Sequence, residues 1–231
     1  MTNRQGQSDW AVILDVDGTM VDNARYHEAA WVELGRQHGF GITPDFYWQH
    51  IHARSNDRNI RTLLGESASE ADIRRLGDEK EQIYRDRFGP LMKEIPGLKN
   101  FLKALSTEDV ACGAASNSPK PNVDMVLDGL DIRRYFRAVI DRDMIRVGKP
   151  DPEMFLRVSA ELSIKPERCI VLEDSASGFL AAQRAGMPCI AIAHGADPED
   201  IRSADNLAAV HPDFTTLSPS LLRSFVDGSV T

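Results

Sequence analysis

The residues able to do chemistry fall in four short polar clusters, each at or shortly beyond the end of an apolar run. Asp15-Val-Asp17-Gly18-Thr19 follows Ala11–Leu14, and Ser116-Asn117-Ser118 ends the run Val110–Ala115. Gly148-Lys149-Pro150-Asp151-Pro152 comes after Ala138–Ile140, and Glu173-Asp174-Ser175 ends Ile170–Leu172. Residues i and i+2 of a strand point to one side, so Asp15 and Asp17 would share a face if the pleat persisted. Two carboxylates that close repel each other unless a cation or a shared proton intervenes.

Together these residue types complete one chemistry, phosphoryl transfer through an aspartyl-phosphate. A carboxylate, Asp15, can attack phosphorus and form a covalent intermediate. The negative charge that gathers there calls for a hard cation with oxygen ligands, for which Mg2+ is suited. Asp15 and Asp174 would bind it through their side chains, with the backbone carbonyl of Asp17 as a third ligand. Glu173 would add charge, directly or through bound water. Lys149 would screen nucleophile and phosphate as a point charge. Ser116 and Asn117 would hold phosphoryl oxygens. Asp17 would serve as general acid to the leaving oxygen, then as base for water. Each cluster also has a plainer reading taken singly. Ser116 caps a helix, Lys149 is a solvated loop lysine, and the acids at 173–174 favour a helix N-terminus.

Short apolar runs separated by helix-like sequence indicate an α/β fold with a parallel sheet covered on both faces. The runs are Ala11–Leu14, Val110–Ala115, Ala138–Ile140, Ile170–Leu172, Cys189–Ala193 and Ala208–Val210. In such sheets, ligand sites form outside the carboxyl ends of the strands, where the four clusters would converge. The stretch between the first two runs is too long for one crossover and reads as several helices. Tyr26 to His38 stops at Gly39, and Asn56 to Leu64 stops at Gly65. Ser69-Glu-Ala-Asp72 resembles a capping box, opening a helix with Ile73, Leu76, Lys80, Ile83 and Arg87 on one stripe. Residues 23–92 are therefore expected to form an inserted helical domain, with residues 1–22 and 93–231 as the core and hinges near Asp22–Asn23 and Met92–Glu94. Leu98, Phe101, Leu102 and Leu105 belong to the next helix, and Ser218-Pro219 starts a final one.

The chain has 231 residues, 42% hydrophobic and 27% charged, with a formal net charge of -8. That excludes no enzyme class but argues against nucleic acid or an anionic membrane surface as a partner. An anionic substrate would need a local positive site. No stretch approaches the roughly 18 apolar residues of a membrane span. Met1 to Asp9 lacks the apolar core of a signal peptide. Cys112, Cys169 and Cys189 lie in or beside apolar runs, as suits reduced, buried thiols in the cytoplasm. Nothing demands a dimer, and a monomer is expected.

The ordered motifs resemble those of the haloacid dehalogenase-like superfamily, and within it the phosphatases and beta-phosphoglucomutase-like members with a helical cap. The likeness spans about Val12 to Ala193. Asp15-Val-Asp17-Gly18-Thr19 is similar to the family's first motif. Ser116-Asn117, Lys149 with Pro150, and Glu173-Asp174 are similar to the second, third and fourth. The resemblance implies a Rossmann-like core, a mobile helical cap, Mg2+ dependence and a small phosphorylated metabolite, such as a sugar phosphate, as substrate. The second carboxylate, Asp17, points to phosphoryl transfer over dehalogenation.

In the mutase-like group a histidine placed like His27 helps couple substrate binding to the acid/base, although His27 also suits an ordinary helix position near a hinge. Mutases of the group carry an arginine that grips the distal phosphate where this chain has Asn56, with Arg54 two residues earlier. Lys80, on an apolar stripe, reads first as a side chain that snorkels to solvent. It also resembles a cap lysine of the mutase-like group that precedes a tyrosine like Tyr84. His50-Ile-His52 lacks a nearby third ligand and is read as packing or surface, not zinc. A hexose-phosphate mutase is thus the alternative enzyme. A phosphoaspartate signalling module would carry Asp, Lys and Ser/Thr at strand ends too, but needs neither the helical insertion nor the second acid.

Overall fold

A strand buried on both sides has to lie inside a sheet with cover on each face. β1 (Ala11–Leu14) is of this kind, with every residue buried. In the computed structural model, which describes residues 8–52, 54–194 and 196–229, it is central in a six-stranded sheet. The other strands are β2 (Ala111–Ala115), β3 (Ala138–Ile140), β4 (Cys169–Glu173), β5 (Cys189–Ile192) and β6 (Leu207–His211). Their order is β3-β2-β1-β4-β5-β6, and all pairs are parallel. This is the expected α/β, Rossmann-like architecture.

The register fixes the site. Ala11 faces Ala111 on one side and Cys169 on the other, so Leu14 faces both Ala114 and Leu172. The residues that follow Leu14 and Leu172 therefore start at one level. The ladder runs one bond further, from Asp15 N–H to the Leu172 carbonyl at 3.0 Å. Then the chain bends, so the pleat does not persist to Asp17.

The chain divides into two compact units, residues 23–92 and residues 1–22 with 93–231. The first is helical: α1 (Ala24–His38), a short α2 (Pro44–Phe46) running into a π-helical turn at Tyr47–Ile51, α3 (Asn56–Leu64) and α4 (Glu70–Phe88). Its stops and starts are chemical. Gly39 takes a left-handed conformation at the end of α1. The Ser55 and Ser69 hydroxyls accept N–H bonds from Arg58 and Asp72 at the starts of α3 and α4. Trp31, Leu34, Tyr47, Ile51, Ile60, Ile73 and Leu76 form its core. The buried stripe of α4 differs from the expected one. It runs through Ile73, Leu76, Gly77, Lys80, Glu81, Tyr84 and Phe88, while Ile83 lies at its edge and Arg87 is exposed. Lys80 does not snorkel, because partners inside the unit satisfy its ammonium (below); it is 3% exposed.

In the larger unit, α5 (Leu98–Thr107), α6 (Lys120–Gly129), α7 (Glu153–Leu162), α8 (Ala176–Arg184), α9 (Pro198–Ser203) and α10 (Pro219–Val226) accompany the sheet. Leu98, Phe101, Leu102 and Leu105 of α5 are all buried. Ser218 caps α10 by accepting from Leu221 N–H, with proline in the first turn. Cys112, Cys169 and Cys189 are free and buried. Among the described residues, no helix is long and apolar enough to cross a membrane.

Leu76 is 1% exposed in the core of the helical unit. Leu76→Ala should therefore cost about 2–5 kcal/mol. Urea unfolding followed by tryptophan fluorescence in a Trp10→Phe background checks this, since Trp31 and Trp48 both report on that unit. A loss below about 1 kcal/mol would show that the unit has no tight core of its own.

Candidate active site

Lys149 is at the centre of the polar groups at the strand ends. Its side chain is almost fully buried. The ammonium donates to Asp15 Oδ1, to Glu173 Oε1 at 2.7 Å and to the Ala115 carbonyl at 3.0 Å. The ring of Phe155 on α7 lies 5.0 Å from it. Three donors thus meet three acceptors, from the ends of β1, β4 and β2. Burial works against the ammonium, yet Asp15 and Glu173 outweigh it and hold its pKa above the ordinary lysine value.

Asn117 positions the lysine from the main chain. Its Oδ1 accepts from Lys149 N–H at 3.0 Å, and its Nδ2 donates to the Lys149 carbonyl at 3.5 Å. The amide expected to hold phosphoryl oxygens is therefore engaged with the Lys149 backbone. Ser116 is engaged too. Its hydroxyl donates to Asp17 Oδ2 at 2.9 Å and accepts from Ser118 N–H at 2.9 Å. The bend after Asp15 sends the two carboxylates of the first cluster to different partners, Asp15 to Lys149 and Asp17 to Ser116.

Glu173 is held on both oxygens. Besides Lys149 on Oε1, its Oε2 accepts from Asp174 N–H at 2.7 Å, Ser175 N–H at 2.8 Å and Ser175 Oγ at 3.0 Å. It is thus tied to the start of α8, the positive end of that helix's dipole. Asp174 Oδ1 accepts from Thr19 Oγ1 at 3.1 Å. Gly18, at φ +82, lets the chain pass beside Asp174, where a Cβ would fall 1.9 Å from Oδ2.

Asp15, Glu173 and Asp174 each offer a carboxylate oxygen within 4.8 Å of the others. They are the one such cluster of acids, histidines or cysteines among the described residues. Desolvation pushes Asp15 up to about 8, against the pull of Lys149 and with the charges of Glu173 and Asp17 adding to the rise. Asp174 is held well above the usual carboxylate range, by desolvation first and then by Glu173 and Asp15. Desolvated carboxylates crowded around a single ammonium, all with hard oxygen donors, fit a divalent cation such as Mg2+.

Of the four residues assigned to the helical insertion, three meet inside that unit. Lys80 Nζ lies 2.8 Å from His27 Nδ1 and 2.9 Å from Glu81 Oε1, and Asn56 Nδ2 donates to the same Glu81 oxygen at 2.7 Å. Arg54 is exposed, and among the described residues its guanidinium pairs with no carboxylate. His50 and His52 pack against Phe46, Tyr47 and Trp48 instead of forming a metal site.

The model of the haloacid dehalogenase-like hydrolase family matches residues 12–192. The chain belongs to that family. Among relatives, this hydrolase is 30% identical to beta-phosphoglucomutase of Bacillus subtilis over 192 residues, 80% of this chain and 84% of that one. It is 29% identical to a phosphorylated carbohydrates phosphatase of Thermotoga maritima over 210 residues, 88% of this chain and 94% of the relative. It is 26% identical to the chloroplastic 5-amino-6-(5-phospho-D-ribitylamino)uracil phosphatase of Arabidopsis thaliana over 230 residues, 96% of this chain but 61% of the plant protein's length. The solved structure of a haloacid dehalogenase hydrolase of family IA, variant 3, from Entamoeba histolytica matches with a TM-score of 0.86 at 25% identity, covering 94% of this chain and 99% of that one.

Thr19, Ser175, Gly178 and Phe155, whose roles no local sequence pattern marks, all hold the site residues. The signal for Gly178 was a small residue five positions after a buried acid, inside a helix start. A Cβ there would lie 1.9 Å from the Glu173 carboxyl carbon. Glycine to alanine in a helix ordinarily stabilises by up to about 1 kcal/mol. At position 178 the overlap should win. Gly178→Ala should destabilise this hydrolase by about 1–3 kcal/mol, and a urea midpoint equal to or above wild type would contradict the close approach.

Proposed function

We propose that this chain is an Mg2+-dependent phosphatase that hydrolyses a small phosphorylated metabolite, of the sugar-phosphate kind, through an aspartyl-phosphate. The observation that carries the reading is the separation of Asp15 and Asp17 into two environments. Asp15 lies against a buried ammonium, which pulls its carboxyl toward the ionised form that attack needs. Asp17 lies against a hydroxyl, which tolerates either protonation state.

In the first half-reaction, an Asp15 oxygen forms the bond to phosphorus as the ester P–O bond breaks, and Asp17 gives its proton to the leaving oxygen. In the second, a water oxygen attacks phosphorus, the Asp15–phosphorus bond breaks, and Asp17 takes the water's proton. Asp15 is thereby restored. Lys149 favours the ionised form of Asp15 and balances charge as the phosphoryl group arrives. Glu173, fixed on the start of α8, keeps Lys149 in place. Ser116 orients Asp17, and Asn117 sets the Lys149 backbone. A main-chain contact from the second cluster to a phosphoryl oxygen would then fall to Asn117 N–H, since Ser116 N–H donates to the Ile140 carbonyl and Ser118 N–H to Ser116 Oγ. Asp15, Asp174 and the Asp17 carbonyl would hold Mg2+, with Glu173 behind them; bound there, it supplies positive charge to the transferring phosphoryl group.

Residues 23–92 act in this reading as a cap that selects the leaving group, with His27, Arg54, Asn56 and Lys80 as its candidate contacts. The phosphorylated carbohydrates phosphatase among the relatives supports a sugar phosphate. Buried, unpaired thiols support a reducing compartment such as the cytoplasm. The beta-phosphoglucomutase relative favours mutase chemistry as a second reading. Against it, Asn56 stands where a mutase would carry its gripping arginine, and its amide is engaged with Glu81.

Phosphate release from a panel of phosphorylated sugars and small metabolites with Mg2+, while sugar isomers are followed, tests both. Free phosphate from one compound class is the expected result; isomer conversion without net phosphate would establish the mutase. Asp15→Asn should abolish turnover with the fold intact, and near-wild-type activity in it would remove the nucleophile assignment. Asp17→Asn should slow breakdown of the phosphoenzyme by about a hundredfold or more, read by single-turnover kinetics. Chelation should stop the reaction and Mg2+ restore it, so full activity in excess chelator would rule out the metal.

A further inference from the structure

The helical unit buries an ion pair on α4. Lys80 and Glu81 are adjacent on α4, so their side chains leave the helix in different directions. Both are nevertheless buried, at 3% and 7% exposure, and meet at 2.9 Å. Burying such a pair costs desolvation that apolar side chains of the same size would avoid. The pair is one link in a longer chain of contacts. Asn56 Nδ2 and Lys80 Nζ both donate to Glu81 Oε1, and Lys80 Nζ lies 2.8 Å from His27 Nδ1. The imidazole in turn stacks flat on Tyr84, with ring centres 3.9 Å apart and planes 4° from parallel. The Tyr84 hydroxyl accepts from Asn23 Nδ2 at 2.7 Å. The Lys80 ammonium also lies 5.8 Å from the Trp31 ring centre and 5.6 Å from that of Tyr84.

An ammonium has donors and no acceptor. The short contact at Nδ1 is therefore a bond from lysine to histidine, and the neutral ring must carry its proton on Nε2. We infer that Glu81 is a positioning residue: by fixing the Lys80 ammonium on Nδ1, it locks His27 into the single tautomer that bears its proton on Nε2. Tyr84 fixes the plane of the ring, and the ion pair fixes which nitrogen can donate. The positive charge brought in by Lys80 is cancelled by Glu81, so the cluster delivers a directed N–H without net charge. The inference does not depend on the phosphatase reading, because it can be tested without turnover.

Long-range proton–nitrogen correlation spectra of the full-length, nitrogen-labelled protein report the tautomer of each histidine ring, with His27 assigned by its loss in His27→Gln. The wild type should show a bare Nδ1 and a protonated Nε2 for His27. Averaged nitrogen shifts, or a proton on Nδ1, would overturn the lock. Glu81→Leu should replace the single form with comparable populations of both tautomers, and Glu81→Gln, which keeps an acceptor oxygen for Lys80, should restore the single form. Should Glu81→Leu fail to fold, the double variant Lys80→Met with Glu81→Leu removes the pair without stranding a charge and should again release both tautomers. An unchanged single tautomer in either variant would show that the pair does not position the ring.

Discussion

The ammonium of Lys149 holds the larger unit's chemistry together. A lysine this deeply buried survives in charged form only if it is surrounded by acceptors, and each acceptor here comes from a different strand end. Remove the lysine and the buried carboxylates of Asp15 and Glu173 lose their cation; breaking a buried ion pair in this way typically costs about 3–5 kcal/mol. The cluster is therefore both a site and a clamp, tying the carboxyl ends of β1, β2 and β4 to the loop after β3. Its supports form a second layer with little freedom: Asn117 on the lysine backbone, the start of α8 on Glu173, and Thr19 on Asp174.

That layer is possible because the sheet is parallel and its central strands are in step. Leu14 lies level with Ala114 and Leu172, so Asp15, Ala115 and Glu173 arrive together. A shift of one residue in either pairing would turn the acid to the opposite face of its strand. The buried, small and β-branched residues of β1, β2 and β4 hold this register through packing, and packing is indifferent to the chemistry a few ångströms further on. Division of labour follows from this. The strand interiors need volume and apolarity, while the residues just beyond them are released for function.

How much of this the sequence discloses depends on the range of the interaction concerned. The strands were legible because an apolar run bounded by polar clusters has little choice of environment, and β1 and β3 match their expected limits residue for residue. The helix stops at Gly39 and Gly65 and the caps at Ser69 and Ser218 were legible because their chemistry is local. The burial of Lys80 was not. Helical period places it on an apolar stripe, where the common outcome is a side chain that reaches for water. What reverses that outcome is Glu81 beside it, held by Asn56 of α3, together with His27 of α1, and no local pattern announces a partner 53 residues away. The same holds for Gly178 and Thr19, whose roles exist only once Glu173 and Asp174 are in place. The engagement of the Asn117 amide also escaped the sequence, since a residue type that can hold a phosphate can equally hold a backbone.

Among the described residues, Asp15, Glu173 and Asp174 crowd the ammonium of Lys149 and the charge of Asp17 reaches Asp15, four acids in a chain whose net charge is -8. Left to itself this arrangement would repel a phosphate ester, however well its shape suited the reaction. Two changes bring it to neutrality. A proton on Asp17, which its role as general acid requires, leaves three negative charges. A divalent cation then cancels the two that Lys149 does not. On the proposed reading, the metal and the acid's proton are therefore conditions for substrate to approach as well as for its phosphorus to react. The upward push on Asp15 and Asp174 comes first from desolvation and then from this same crowding of carboxylates. Binding and catalysis would then share one electrostatic origin, the excess of carboxylates that the register of three strands assembles around a single lysine.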